Sequence, residues 1–186
     1  MKKAVLGAIG ALIAATLACS IFVGGPAYPE DTIPTPTGTP VSLQEQIQQA
    51  LAAGTQSGEI SLQLTEAQLT SYLTARTAKQ ADPDIADPRV YLRSGLMKIY
   101  GQVHSGVFIA NISLTLQASI DRNGQPQIAI QQTDLGPFAA PQGLNEALAS
   151  FVQEAFTGWL GPVATGFRLE TITIGDGTMT VTGRIK

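Results

Sequence analysis

The longest alternation of apolar and polar residues in this chain runs from residue 108 to residue 120. Successive side chains of a β-strand point to opposite faces, so the alternation predicts a long antiparallel strand with one dry and one solvated face. The dry face would carry Phe108, Ala110, Ile112, Leu114, Leu116, Ala118 and Ile120. The solvated face would carry Asn111, Ser113, Thr115, Gln117 and Ser119.

Turn signals around this strand, including Asn123-Gly124 after its end, predict three hairpins. Their strands cover residues 90–93 and 96–104, 108–120 and 127–133, and 167–174 and 179–185. In the last hairpin the apolar phase changes, because Phe167 and Leu169 alternate one way and Ile172 and Ile174 the other. A β-bulge near Glu170 would reconcile the two phases.

Three helices are predicted. Capping boxes at Ser42 and Thr65 start helices over residues 42–54 and 65–79, with a strand over residues 59–64 between them. A third helix is expected over residues 142–160, followed by the Gly161-Pro162 break. Strands and helices in blocks predict an α+β fold, with a long curved antiparallel sheet packed on a long amphipathic helix.

The N-terminus has the pattern of an export signal. Lys2 and Lys3 precede residues 4–25, which carry no charge. A cationic start followed by an apolar run is typical of a secretory signal, and the lysines favour the cytoplasmic side. The remainder of the chain is therefore expected outside the cytoplasm.

Three fates of this segment stay open. Cleavage before Cys19 and acylation of its thiol would make a lipoprotein, which the small Ala18 favours, although Thr16 stands where a lipobox commonly has Leu. Retention of the apolar run would leave a transmembrane anchor. Cleavage after Ala27, with Gly25 and Ala27 as the small residues of the cleavage site, would release the protein. The sequence thus divides into an anchor or signal over residues 1–27, a Pro/Thr-rich linker over 28–41 and one α+β domain over 42–186.

Composition excludes several classes of function. One Cys and one His exclude a disulfide framework and Cys- or His-pair zinc motifs. A net charge of -3 without a basic patch argues against nucleic-acid binding.

The candidates for chemistry are few. Asp82, Asp84 and Asp87 suit a calcium ion by type but not by spacing. His104 has no carboxylate nearby in sequence to orient it as a general base. We expect no metal site, no cofactor and no catalysis. A hydrolase of envelope polymers stays open, since its acids would meet only in space; the available acids are Glu59, Glu66, Asp134, Glu154 and Glu170.

A groove for an apolar ligand is the favoured site. A curled sheet on a helix can leave a slot between the two, and such clefts bind apolar molecules. The candidate residues are Phe108, Ile112, Leu114, Leu116, Ile128, Ile130, Leu148, Val152, Phe156 and Trp159.

Four stretches, LTEAQLTSYL, DPRVYLRSGLMKIYGQV, TDLGPFAAP and GPVATGFRLETITIGDGTMTVTGRI, resemble bacterial envelope proteins of the LmeA-like and YpmS-like groups. These groups are related to the tubular lipid-binding (TULIP) superfamily. The resemblance spans residues 58–186 and implies a TULIP-like half-barrel that binds or transfers phospholipid, without a site motif to carry over. A structural or interaction module of the envelope, meeting a protein partner through the polar strand face or an edge strand, is the alternative.

Overall fold

The computed structural model describes residues 20–30, 42–79, 85–105, 107–136 and 144–186. Three of the residues considered above, Cys19, Asp82 and Asp84, lie outside these ranges, as do residues 1–19 of the export segment and residues 31–41 of the linker. Within the described ranges the chain forms three helices and eight strands.

The elements follow one another in blocks. In chain order they are β1 (Ile21–Phe22), α1 (Leu43–Ser57), β2 (Glu59–Thr65), α2 (Glu66–Thr77), β3 (Ala86–Arg93), β4 (Leu96–Ser105), β5 (Phe108–Ile120), β6 (Pro126–Asp134), α3 (Leu144–Gly166), β7 (Phe167–Ile174) and β8 (Thr178–Ile185). The predicted α+β class is confirmed, and the strands curl into a half-barrel.

Two sheets build this half-barrel. The larger has the order β1-β5-β4-β3, and β6 pairs with the second half of β5. The smaller has the order β2-β8-β7. The sheet is mixed and not purely antiparallel as predicted, because β1 runs parallel to β5.

The helix starts follow the sequence closely. Both capping boxes form: the Ser42 hydroxyl accepts from the Glu45 amide at 3.2 Å, and the Thr65 hydroxyl accepts from the Gln68 amide at 3.3 Å. Each satisfies an amide that the first helical turn leaves without a partner.

The helix ends do not follow the sequence. α1 was predicted to end at Gly54 but continues to Ser57, because Gly54 faces the Phe167 ring, which a Cβ would approach to 2.8 Å. The left-handed cap is Gly58, with φ of 80°. α3 likewise passes through Pro162 to Gly166, since Val163 and Ala164 beyond the proline are buried.

Strand β5 forms as predicted, but the middle of its polar face is dry. Ser113 and Thr115 are each only 8% exposed. Ser113 lies opposite Tyr100 of β4, which is itself buried and contacts the Tyr91 ring at 5.5 Å. The expected solvated face is therefore wrong at its centre, because an aromatic layer covers it. The predicted bulge in β7 is confirmed between Leu169 and Thr171.

Residues 20–30 contribute to that outer layer. The Val23 amide donates to the Ile109 carbonyl at 2.9 Å, and the Asn111 amide donates to the Gly24 carbonyl at 2.9 Å. Further along this segment the Tyr28 ring contacts the Tyr100 ring, with ring centroids 5.6 Å apart. A segment that the sequence placed in the anchor and the linker thus crosses the outer face of the sheet from β5 towards β3.

Two features hold the Tyr28 end of this crossing. The Arg89 guanidinium carbon lies 5.0 Å from the centre of the Tyr28 ring, within the range of a cation–π contact. The Tyr28 hydroxyl donates to the Asp87 carbonyl at 3.4 Å. Burial is the main reason that the pKa of Tyr28 rises to about 12, with the Asp87 charge adding to it and Arg89 opposing it.

The inner side of the half-barrel is one continuous hydrophobic core. It combines side chains from all three helices and from strands of both sheets. Leu64, Val90, Leu114, Leu148 and Met179 at its centre are fully buried. The two sheets and the helices therefore share a single core.

Candidate functional site

An open groove lies between β6 and α3. Its volume is about 1090 Å³, and it is bounded by residues 128–133 of the strand and by residues 149–157 of the helix. The helix runs antiparallel to the strand, because Pro126 lies near Gly161 in a neighbouring hollow while the other end of the strand lies near Ala149. The strand and the helix thus form the two facing walls of the groove.

Three of the predicted ligand residues line this groove. Ile128 and Ile130 alternate along β6 and are half-buried, and Val152 of α3 is 1% exposed. Ile128 lies opposite Ala118 and Ile130 opposite Leu116, so both point to the apolar side of the sheet. These side chains form an apolar floor.

Other predicted ligand residues lie deeper. Ile112, Leu114, Leu116 and Leu148 are at most 2% exposed and belong to the core. They support the floor of the groove from below and are not among the residues that line it.

Phe156 and Trp159 also pack inwards. Their rings lie 5.4 Å apart beside a residual gap of about 10 Å³ that Leu69, Met97 and Phe151 also border. A gap of this size holds at most about one water molecule, so it has no space for an acyl chain. Within the described residues the interior next to Val152 is therefore filled, and binding would have to use the open groove.

Phe108 lies apart from the other predicted ligand residues. It begins β5 and is 47% exposed, and it pairs in register with Ile21. β6 covers only the second half of β5, from Ser113 onwards, so Phe108 lies beyond the groove.

The rim of the groove is polar, which the sequence analysis did not predict. Gln131, Gln132 and Thr133 follow on the strand side, and Gln153 and Thr157 face them from the helix. Gln131, Gln132 and Thr133 follow one another at the end of β6, but that they border a groove opposite α3 depends on tertiary packing. An apolar floor with a polar rim suits a chain-like ligand lying along the groove.

The candidate acids each have a structural partner. Glu154 on the helix side of the groove forms an ion pair with Arg76 of α2. Glu59 and Glu170 lie on either side of Arg184, at 3.7 and 3.5 Å. The Asp134 carboxylate accepts from the Gly136 amide at 2.8 Å.

Glu66 is the buried member of this group of acids. It is 2% exposed, and its Oε1 accepts from the Leu92 amide at 2.6 Å and from the Arg93 guanidinium. Its Oε2 has no hydrogen-bond partner among the described residues. Glu66 therefore ties the start of α2 to the end of β3, remote from the groove.

The remaining candidates for chemistry stay separate. His104 is exposed near the end of β4. Asp87 pairs with Arg89 at 3.3 Å. Over the described ranges, no three His, Cys, Asp or Glu side chains come together in a way that could hold a metal ion.

Comparison with known proteins leaves the chain without an assigned relative. No protein-family model, curated protein or solved structure matches it. The resemblance to the LmeA-like and YpmS-like groups stays a prediction. Among the residues that the structure describes, no helix is long and apolar enough to cross a bilayer.

Proposed function

We propose that this chain is a membrane-tethered extracytoplasmic protein that binds the acyl chain of a lipid, without catalysis, in the groove between β6 and α3. In this proposal α3 serves as the long amphipathic helix of a TULIP-like half-barrel. The observation that carries the proposal is the open groove itself, whose floor of Ile128, Ile130 and Val152 is apolar while its rim is polar.

The shape of the groove favours a linear ligand. Residues 128–133 rise about 3.3 Å each, so the strand wall is roughly 17 Å long. Each methylene buried on the floor would contribute about 0.8 kcal/mol. The glutamine and threonine side chains of the rim would stay hydrated or bind a polar headgroup.

Photo-crosslinking tests the ligand. The full chain carries p-benzoylphenylalanine at Ala149, which is exposed and lines the groove, or at Ala53, which is an exposed residue of α1 that does not line it. After irradiation with phosphatidylglycerol vesicles, we expect a lipid adduct at position 149 and little at position 53. Ile130→Asn, which makes the floor polar, should reduce the adduct at 149.

Equal labelling at both positions would show only contact with the vesicle, and no labelling at 149 would contradict the proposal. Circular dichroism of each variant shows whether the fold is retained.

A second function is favoured by one observation. Within the described residues β6 pairs with β5 alone, so its outer edge, which borders the groove, is free to pair with another strand. An extended peptide could add there, with its side chains in the same groove. In cells that carry the crosslinker at Ala149, an adduct of protein size in place of a lipid adduct would support this interaction module.

The lipid attachment at Cys19 is tested separately. We expect cells fed an alkyne fatty acid to label the native chain but not Cys19→Ala. Equal labelling of the two chains would exclude acylation at this thiol. An unlabelled native chain that still fractionates with membranes would favour the transmembrane anchor.

A further inference from the structure

Four exposed apolar side chains meet at one corner of the larger sheet. Ile21 and Phe22 are 51% and 58% exposed, and Val107 and Phe108 are 48% and 47% exposed. The pairing of β1 with β5 places them at this corner, since the Ile21 amide donates to the Val107 carbonyl at 2.6 Å and Ile21 lies opposite Phe108 on one face of the sheet. Phe22, the next residue along β1, points to the other face, so exposed apolar side chains lie on both sides of the corner. We name these four residues the apolar corner.

The apolar corner is unusual on this surface. Only one other large apolar side chain in the described ranges is exposed, namely Ile185 at 52%, near the C-terminus. Isolated exposed apolar residues are ordinary on protein surfaces, whereas four of them on the two faces of one sheet corner, two being phenylalanines, are typical of an interaction site.

The position of the corner in the chain indicates what it faces. Residues 4–18 carry no charge and have the composition of a membrane segment, although these 15 residues are fewer than the roughly 20 of a full span. That segment enters the described structure at Ser20, one residue before Ile21. The apolar corner therefore lies at the point where the apolar N-terminal segment joins the fold.

The Pro/Thr-rich segment does not separate this corner from the N-terminal segment. Val23 and Gly24 are hydrogen-bonded to β5, and the Tyr28 ring contacts Tyr100. Residues 31–41 follow this attached segment and precede α1. Their length therefore has no influence on how far the sheet lies from a bilayer that holds residues 4–18.

We propose that the apolar corner docks directly on the lipid bilayer, so that the membrane-proximal end of β5 rests on the surface to which the N-terminus is tethered. The proposal rests on the membrane tether of the proposed function but is independent of the ligand groove. Only Cys19 and Ser20 separate residue 18 from the corner, so the corner is held at high effective concentration next to the bilayer and even a small apolar surface would stay bound.

Depth measurements on the full chain test the docking. The Cys19→Ser chain is reconstituted in nanodiscs of phosphatidylcholine and phosphatidylglycerol, with one nitroxide at Val107→Cys or at Asn123→Cys. Asn123 is exposed in the turn at the opposite end of β5. We expect the label at 107 to collide preferentially with oxygen, as in a bilayer, and the label at 123 to collide preferentially with a nickel chelate, as in water.

A matched pair of variants identifies the cause. Phe22→Ser combined with Phe108→Ser should abolish the oxygen preference at 107, while the fraction of chain on nanodiscs stays unchanged because residues 4–18 still anchor it. Ile185→Ser removes an equally exposed apolar side chain elsewhere and should leave the label at 107 unchanged. Circular dichroism confirms that each variant is folded.

The results that overturn the proposal differ from those that overturn the tether. A chain on nanodiscs whose label at 107 is accessible to nickel is tethered but not docked. A label at 107 shielded from both reagents, with spin–spin broadening between copies, would show that a second copy covers the corner. A chain absent from the nanodiscs contradicts anchoring by residues 4–18, since the Cys19→Ser chain cannot be acylated at that position. The crosslinking at Ala149 reports on the groove in each case.

Discussion

At the scale of single residues, Glu66 shows how burial can change the role of a side chain. Sequence places it at the first position of a capped helix, where an acid is favoured by the helix dipole. The fold adds the Leu92 amide and Arg93 as partners of its Oε1. A carboxylate so placed stabilises the junction of α2 and β3 and leaves no role for Glu66 as an exposed catalytic acid.

We expect Glu66→Ala to lower the free energy of unfolding by about 1–3 kcal/mol, because the Leu92 amide would lose its acceptor in a buried position. Glu66→Gln keeps one acceptor oxygen and should cost less. Urea denaturation measures both, with Glu59→Ala as the exposed control. Equal midpoints for Glu66→Ala and Glu59→Ala would contradict the assigned role.

Tyr28 gives a prediction for alkaline pH. Its pKa is raised from the ordinary 10.0 to about 12 in the folded chain, mainly by burial, so its contribution to stability is complete below pH 10 and is lost as the pH rises through 12. The tyrosinate absorbance is measured against pH for the native chain and for Tyr28→Phe. We expect the difference between the two curves, which reports Tyr28 alone, to titrate with a pKa of about 12. A difference that titrates near 10 would mean that Tyr28 is solvated and residues 20–30 are detached.

At the scale of elements, the crossing of residues 20–30 depends on one glycine. Gly25 has φ of +121°, and a Cβ there would overlap the Asn111 carbonyl oxygen. Sequence alone suggested for Gly25 and Ala27 only the small residues of a cleavage site. The packing explains why residue 25 is a glycine, since only glycine allows this backbone conformation and so close an approach to the Asn111 carbonyl.

We therefore expect Gly25→Ala to detach β1 while leaving the rest of the fold intact. Hydrogen exchange measures this directly: the Ile21 and Val23 amides, which donate to Val107 and Ile109, should lose their protection. Gly161→Ala is the matched control, because a Cβ at Gly161 meets no atom within 4 Å. Retained protection in Gly25→Ala would show that the crossing tolerates a side chain.

At the scale of the whole molecule, both sheets and all three helices share one core. Small domains with a single core unfold as one unit. We expect the fluorescence of Trp159, the only tryptophan, and the far-ultraviolet circular dichroism to give coincident denaturation curves. Separate transitions would mean that the two sheets unfold independently.

The local elements of this fold were predictable because their causes are local. The capping boxes at Ser42 and Thr65, the β5–β6 turn at Asn123-Gly124 and the bulge after Leu169 all formed as predicted. Each depends on hydrogen bonds or side-chain alternation within a few residues. The α+β class follows from their order along the chain.

The tertiary structure decided what depends on residues distant in sequence. Gly54 lies inside α1 because it packs on the Phe167 ring, and Pro162 lies inside α3 because Val163 and Ala164 after it are buried. Ser113 is dry because Tyr100 and its neighbours cover the outer face. Of the ten predicted ligand residues, only Ile128, Ile130 and Val152 line the groove. Periodicity identifies which side chains avoid water, but whether they line a cleft or fill a core depends on how closely the opposing elements pack.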